Sequence, residues 1–306
     1  VPHAPLRTLL ATLAVLALAG CSDEGTPDSG AAVSSGDPAA CPGEVVEVTV
    51  SVGQWSDVAR RLGGACATVT TVAAASPRDA EPVAADLAAM AGADLVLLNG
   101  AGYDEWATEA AGSGPVVVSA EEVGGAARRA PDVDPHLWYD PAVVPEVAEA
   151  LARELAEISP DAAPYFEAQH TTWTAELGPY LAAVAGLRAE AEGRSYAATD
   201  PVFDRMAAAV GLTDVTPRDY RRGARDDPSP AAVEALEAAL REGRVDVLIR
   251  NGQADDDDVH ERVRQVAEDA GVPVVDVLGF PDEDESFVEW QVDQLADLAA
   301  ALGASS

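Results

Sequence analysis

The chain has 306 residues, enough for two lobes, and its 53 acidic against 19 basic residues give a net charge of −34. Every base is an arginine, because the sequence contains no lysine. A negative field of this strength excludes nucleic-acid binding and attraction of the protein body to an anionic membrane, and it draws cations instead.

Residues 1–20 read as a targeting segment outside the fold. Arg7 supplies the positive start, residues 8–19 form an apolar run too short to span a bilayer, and Leu18-Ala19-Gly20-Cys21 closes it in the manner of a bacterial lipobox. Cys21 is then the expected lipidated residue, and the membrane is met through this anchor only. A cleaved secretory signal with an incidental cysteine is the plainer alternative. Residues 21–43 are rich in Gly, Ser, Asp and Pro without periodicity and read as a flexible tether. Cys41 and Cys66 each precede a β-like run. If those runs are adjacent parallel strands, both cysteines lie at the same sheet edge, and an exported compartment favours a structural disulfide.

Residues 44–141 carry four β-like runs, at 45–52, 67–72, 94–98 and 115–118, separated by helical patterns that include 54–62, 80–91 and 103–111. Strand and helix in alternation predict a parallel sheet covered on both faces. Residues 142–158 are amphipathic, and Ser159-Pro160 is expected to serve as N-cap and first residue of the next helix. That helix runs over 160–192, roughly 50 Å at about 1.5 Å per residue, with a kink at Gly178-Pro179. Residues 142–193 thus form a helical spine. A second lobe over 194–306 repeats the pattern, with runs at 195–199, 213–216, 245–249 and 272–277 and helices at 202–210, 229–242, 256–270 and 287–302. The fold class is α/β: two lobes, each a four-stranded parallel sheet flanked by helices, joined by a long spine helix. Ligands of open α/β sheets bind beyond the carboxyl ends of the strands, so two facing lobes define a cleft.

The polar residues at those strand ends are unusual. Ser76-Pro77-Arg78-Asp79-Ala80-Glu81-Pro82 follows the second run, and Asn99-Gly100-Ala101-Gly102-Tyr103-Asp104-Glu105-Trp106 follows the third. His136 sits in Asp134-Pro135-His136-Leu137-Trp138-Tyr139-Asp140-Pro141, where two prolines stiffen the backbone around the imidazole. It suits either a pre-aimed metal ligand or a loop histidine held by hydrogen bonds. In the second lobe Asp200 follows the first run and Asp276 ends the fourth.

The motifs Asn-Gly-x-Gly-x-x-x-Trp and Asp-Pro-His-x-Trp-x-Asp-Pro, with the spine, resemble the substrate-binding lipoproteins of zinc/manganese ABC importers over residues 45–302. The resemblance implies a non-catalytic, monomeric, extracytoplasmic protein, lipid-anchored to the cell membrane. It would capture a divalent ion, Zn or Mn, and pass it to an ABC permease and its ATPase. The spine would limit lobe closure. The family's four ligand positions fall on Arg78, His136, Asp200 and Asp276. A guanidinium has no lone pair to give, so Arg78 departs from the pattern and is a cleft residue of unassigned role. That leaves His136, Asp200 and Asp276 as the expected ligands, a set that leans towards harder ions such as Mn²⁺. Asp79 or Glu81 is placed to replace the missing ligand, although Glu81 matches the family's own Glu and a supporting role.

Arg250 stands where the family often carries Glu-Pro, and Arg218, Arg221, Arg222 and Arg225 crowd one loop. These arginines form a solvated face, or with Arg78 they line the cleft for an anionic or chelated solute. A metal-dependent hydrolase is a third and weaker reading, with no general base in evidence. The acids at 255–258 beside His260 suit a helix start, and His170 on the spine reads as a surface or packing residue.

Overall fold

The computed structural model describes residues 32–35, 40–72, 82–125, 134–223, 228–254, 258–282 and 285–304. The leader at 1–20, Cys21, Arg78, Asp79, Glu81, Arg225 and the acids at 255–257 lie outside the described residues.

The first lobe contains β1 (Ala32–Ser35), β2 (Val46–Val50), α1 (Ser56–Gly63), β3 (Ala67–Thr71), α2 (Ala84–Gly92), β4 (Leu95–Leu98), α3 (Glu105–Ala111), β5 (Val116–Ser119) and α4 (Ala120–Val123). Its sheet runs in the order β1-β3-β2-β4-β5. β2 to β5 are parallel, and the central β4, Leu-Val-Leu-Leu, is buried at all four positions, as a strand covered on both faces requires. β1 is an addition to the four expected strands. Residues 32–35 were expected within the flexible tether, yet they pair antiparallel with β3, Ala32 opposite Thr71. The edge of β3 presents unpaired backbone groups, and an extended segment that reaches it satisfies them. The disulfide Cys41–Cys66 ties the chain between β1 and β2 to the start of β3.

The spine comprises α5 (Val143–Ile158), α6 (Ala163–Glu176) and α7 (Gly178–Ala191). The long helix breaks between α6 and α7 at Leu177, where Gly178-Pro179 withdraws an N–H from the ladder. Ser159 does not cap with its side chain as expected. Its hydroxyl donates instead to the Glu44 carbonyl at 2.8 Å, fastening the spine to the strand entering the first sheet.

The second lobe contains β6 (Ser195–Ala198), α8 (Asp204–Ala209), β7 (Thr213–Asp214), α9 (Arg218–Gly223), α10 (Pro230–Arg241), β8 (Val247–Asn251), α11 (Asp258–Asp269), β9 (Val274–Val277) and α12 (Phe287–Leu302). Its sheet is wholly parallel, in the order β7-β6-β8-β9. Setting β1 aside, the two sheets share one topology, second-first-third-fourth. The strand order therefore reverses between β2 and β4 in one lobe and between β6 and β8 in the other, and those are the points at which such sheets bind ligands.

One hydrophobic core runs through both lobes and the spine. Its centre is aromatic: Tyr139 meets Phe203 at 4.8 Å and Trp290 at 5.5 Å, while Phe287 stacks on Trp55 at 6.3 Å. Backbone-directed bonds cross the same boundary, from Gln54 Nε2 to the Gly279 carbonyl (3.0 Å) and from Phe287 N to Asp57 Oδ2 (3.0 Å). No helix among the described residues is long and apolar enough to cross a membrane.

Candidate metal-binding site

The first wall of the cleft is organised by Asp104, which is 1% exposed. Its carboxylate accepts from Ser51 Oγ at 2.5 Å, Asn99 N at 2.7 Å and Gly100 N at 2.8 Å, so it joins the ends of β2 and β4 at the reversal point. Burial nevertheless pushes its carboxyl above the ordinary range, with these donors acting against it. Gly100, Ala101 and Gly102 follow with φ of 78°, 55° and 72°. A Cβ on Gly100 would lie 2.7 Å from that of Glu121, so this turn needs glycine for space as well as for φ. Glu121 Oε2 in turn accepts from Ala101 N at 2.7 Å.

Asn99 links this turn to the histidine. Its Nδ2 donates to the Pro135 carbonyl at 2.8 Å, while its Oδ1 accepts from Trp55 Nε1 at 3.1 Å. His136, 8% exposed, lies edge-on to Trp138 (5.4 Å) and Tyr103 (6.1 Å). Its Nδ1 is 2.5 Å from Asp134 Oδ1, which also accepts from the His136 backbone N. Burial raises the Asp134 carboxyl, but the hydrogen bond and charge of His136 and the charge of Arg205 outweigh it and hold Asp134 below the usual carboxylate range. An ionised carboxylate only accepts, so Nδ1 donates, and in the neutral imidazole Nε2 keeps the lone pair that a cation would use.

The second wall is looser. Asp200 follows β6 and caps the turn at Pro201–Phe203, Oδ1 accepting from Val202 N at 2.9 Å. Asp276 lies within β9 rather than at its end, opposite Arg250 of β8. Arg250 Nε donates to Asp276 Oδ1 at 2.7 Å, with the Asp side chain 52% and the Arg side chain 12% exposed. Among the described residues, no three His, Cys, Asp or Glu side chains are gathered into a group able to hold a metal ion. Each of the three expected ligands is instead engaged with a neighbour of its own: His136 with Asp134, Asp200 with its turn, Asp276 with Arg250.

The arginine-rich loop divides. Arg221 on α9 is half-buried against Asp204 and Asp214, the latter at 2.7 Å, whereas Arg222 pairs with Asp219 in solvent. Burial lifts Asp204 to about 6 against the charge of Arg221. Sequence reasoning missed Asp104, Asp134 and Arg205 as functional neighbours. Asp104 and Asp134 sit inside motifs already singled out and were legible there. Arg205 carried no local signal.

The family model described as ZnuA, zinc-uptake complex component A, periplasmic, matches residues 48–301. The manganese-binding lipoprotein MntA of Halalkalibacterium halodurans is 28% identical over 141 residues, 44% of this chain and 47% of that protein. The matched stretch thus spans about half the length of that curated relative. Among solved structures, the periplasmic zinc binding protein TroA from Treponema pallidum is similar with a TM-score of 0.73 at 17% identity, covering 85% of this chain and 100% of that one. A mutant of the laminin-binding adhesin Lmb from Streptococcus agalactiae gives 0.71 at 18% identity, covering 84% and 99%. A manganese-bound mutant of a periplasmic metal binding protein from Candidatus Liberibacter asiaticus gives 0.69 at 16% identity, again covering 84% and 99%. At these identities the structures speak to the fold.

Proposed function

Because the chain belongs to the family of periplasmic component A of zinc-uptake complexes, we propose that it is the extracytoplasmic solute-binding component of an ABC importer, taking a divalent transition metal in the interlobe cleft. The family binds solutes and performs no catalysis, so the hydrolase reading falls away. The cargo is Mn²⁺ or Zn²⁺, and the protein delivers it, as a monomer held by lipidated Cys21, to a permease and its ATPase. His136, Asp200 and Asp276 are the ligands. The observation that carries this reading is the His136 seat: a buried imidazole with Nδ1 committed to a carboxylate, in a loop pinned by Asn99, at the mouth of a reversed-order sheet.

A second reading is favoured by one observation. Arg250 occupies Asp276 Oδ1, and the family's fourth ligand position holds Arg78. On this reading Arg250 and, from its place in the sequence motif, Arg78 supply the binding charge, and the solute is an anion or a chelated metal.

Elemental mass spectrometry on the exported protein, purified without chelator, separates the two. Near-stoichiometric Mn or Zn in the wild type, lost in Asp276→Ala, supports cation capture. An empty wild type beside a loaded Arg78→His variant supports the converted site.

A further inference from the structure

Arg205 stands on α8, two residues beyond the turn that Asp200 caps, and its guanidinium reaches the opposite wall. Nε donates to the Asp134 carbonyl at 2.9 Å, with Nη2 on the same oxygen, and Nη1 donates to Asp140 Oδ2 at 3.2 Å. The side chain is 14% exposed. One rigid fork therefore grips both ends of the loop that presents His136, which a flexible ammonium could not match. Asp134 is the residue on which His136 Nδ1 rests. Its other oxygen, Oδ2, is buried without a hydrogen bond from the described residues and lies 3.8 Å from Arg205 Nε. Beside the ring contact of Tyr139 with Phe203, Arg205 is a polar tie between the turn of Asp200 and the seat of His136. Here the main-chain carbonyl of Asp134 is gripped, which sets where its carboxylate meets the ring.

We propose that Arg205 is the positioning residue of the cation site: it holds Asp134 against His136 so that Nδ1 donates and Nε2 is left as the ligand atom, and it ties the spacing of His136 and Asp200 to the docking of the two lobes. The second half rests on the cation-capture reading. The first half does not, because the orientation of the imidazole belongs to the protein with or without cargo.

The test compares wild type with Arg205→Leu, Arg205→Gln and Arg205→Lys in the purified exported protein. Long-range ¹⁵N spectra of the imidazoles, with His136 assigned through a His136→Asn variant, report its tautomer. Titration of Mn²⁺ and of Zn²⁺ against a chromophoric chelator reports affinity, and thermal melting reports folding. The wild type is expected to show the Nδ1-protonated tautomer. Arg205→Leu should mix the two tautomers and weaken cation binding about tenfold or more, the usual cost of losing a group that orients a ligand, with Arg205→Lys recovering part of both. A variant that melts cooperatively, keeps the pure tautomer and keeps wild-type affinity would overturn the proposal. Should Arg205→Leu fail to fold, Arg205→Gln, which retains a donor but neither the charge nor the fork, decides the same comparison. A wild type that binds neither ion defeats the cargo reading, while the tautomer comparison still decides the role of Arg205.

Discussion

The two walls of the cleft share a strand order but are built to different tolerances. In the first lobe, buried Asp104 and Asn99 spend nearly all their hydrogen-bonding capacity on neighbouring backbone and side chains, and Asp134 holds both the backbone N and the ring of His136, so Gly100 and His136 have one arrangement open to them. In the second lobe, Asp200 is held through a single backbone bond, and Asp276 stands half in solvent on one arginine. On the cation-capture proposal, such a site places its nitrogen in advance and lets its carboxylates adjust. The ordering left for binding would then fall on the second wall, where a carboxylate must leave a partner before it can serve a cation.

The largest test of that contrast is Asp104→Ala. It leaves the amides of Asn99 and Gly100 without their acceptor and the Ser51 hydroxyl with the Leu97 carbonyl alone, at 3.2 Å, and should lower the unfolding free energy by about 3 kcal/mol in urea titrations. Gly100→Ala comes next, at about 2 kcal/mol, because the added methyl meets Glu121 and φ is positive. On the opposite wall, Asp200→Ala removes one capping bond and should cost about 1 kcal/mol by the same measurement. Equal losses at Asp104 and Asp200 would break the comparison.

Two smaller effects sharpen it. Arg250→Gln frees Asp276 from an ion pair worth under about 1 kcal/mol, so cation affinity should rise about threefold in chelator competition. A fall in affinity would instead make Arg250 part of the binding surface. The Asp134 carboxyl is depressed in the fold, so between the unfolded value, about 3.9, and its lower folded value the unfolded chain binds more protons. This group's stabilisation is therefore complete above that window and is lost as the pH falls through it. Thermal melts should show a shallower acid limb in Asp134→Asn than in wild type.

Much of this was legible along the chain. The strand and helix alternation, the break at Gly178-Pro179 and the pairing of Cys41 with Cys66 rest on period, on proline chemistry and on compartment, all of which act locally. The histidine seat was legible because its prolines and aromatics are contiguous with it. Arg205 was not, since its partners at Asp134 and Asp140 are 71 and 65 residues away and nothing beside it distinguishes it from a surface arginine. The strand at Ala32–Ser35 was hidden for a similar reason: its composition suits a linker, and only the open edge of β3 gives it structure.

The sequence by itself determined the two α/β lobes, the spine and the chemistry offered to the cleft, because hydrophobic period and the nature of a side chain are properties of a residue and its near neighbours. Tertiary structure alone decided how that chemistry is engaged: Asp104 knotting two strand ends, Asp276 turned to Arg250, Arg205 gripping the loop of His136. Hydrogen bonds and ion pairs form between groups that folding brings within about 3 Å, and which groups those are depends on how two sheets and a kinked helix close on one shared core.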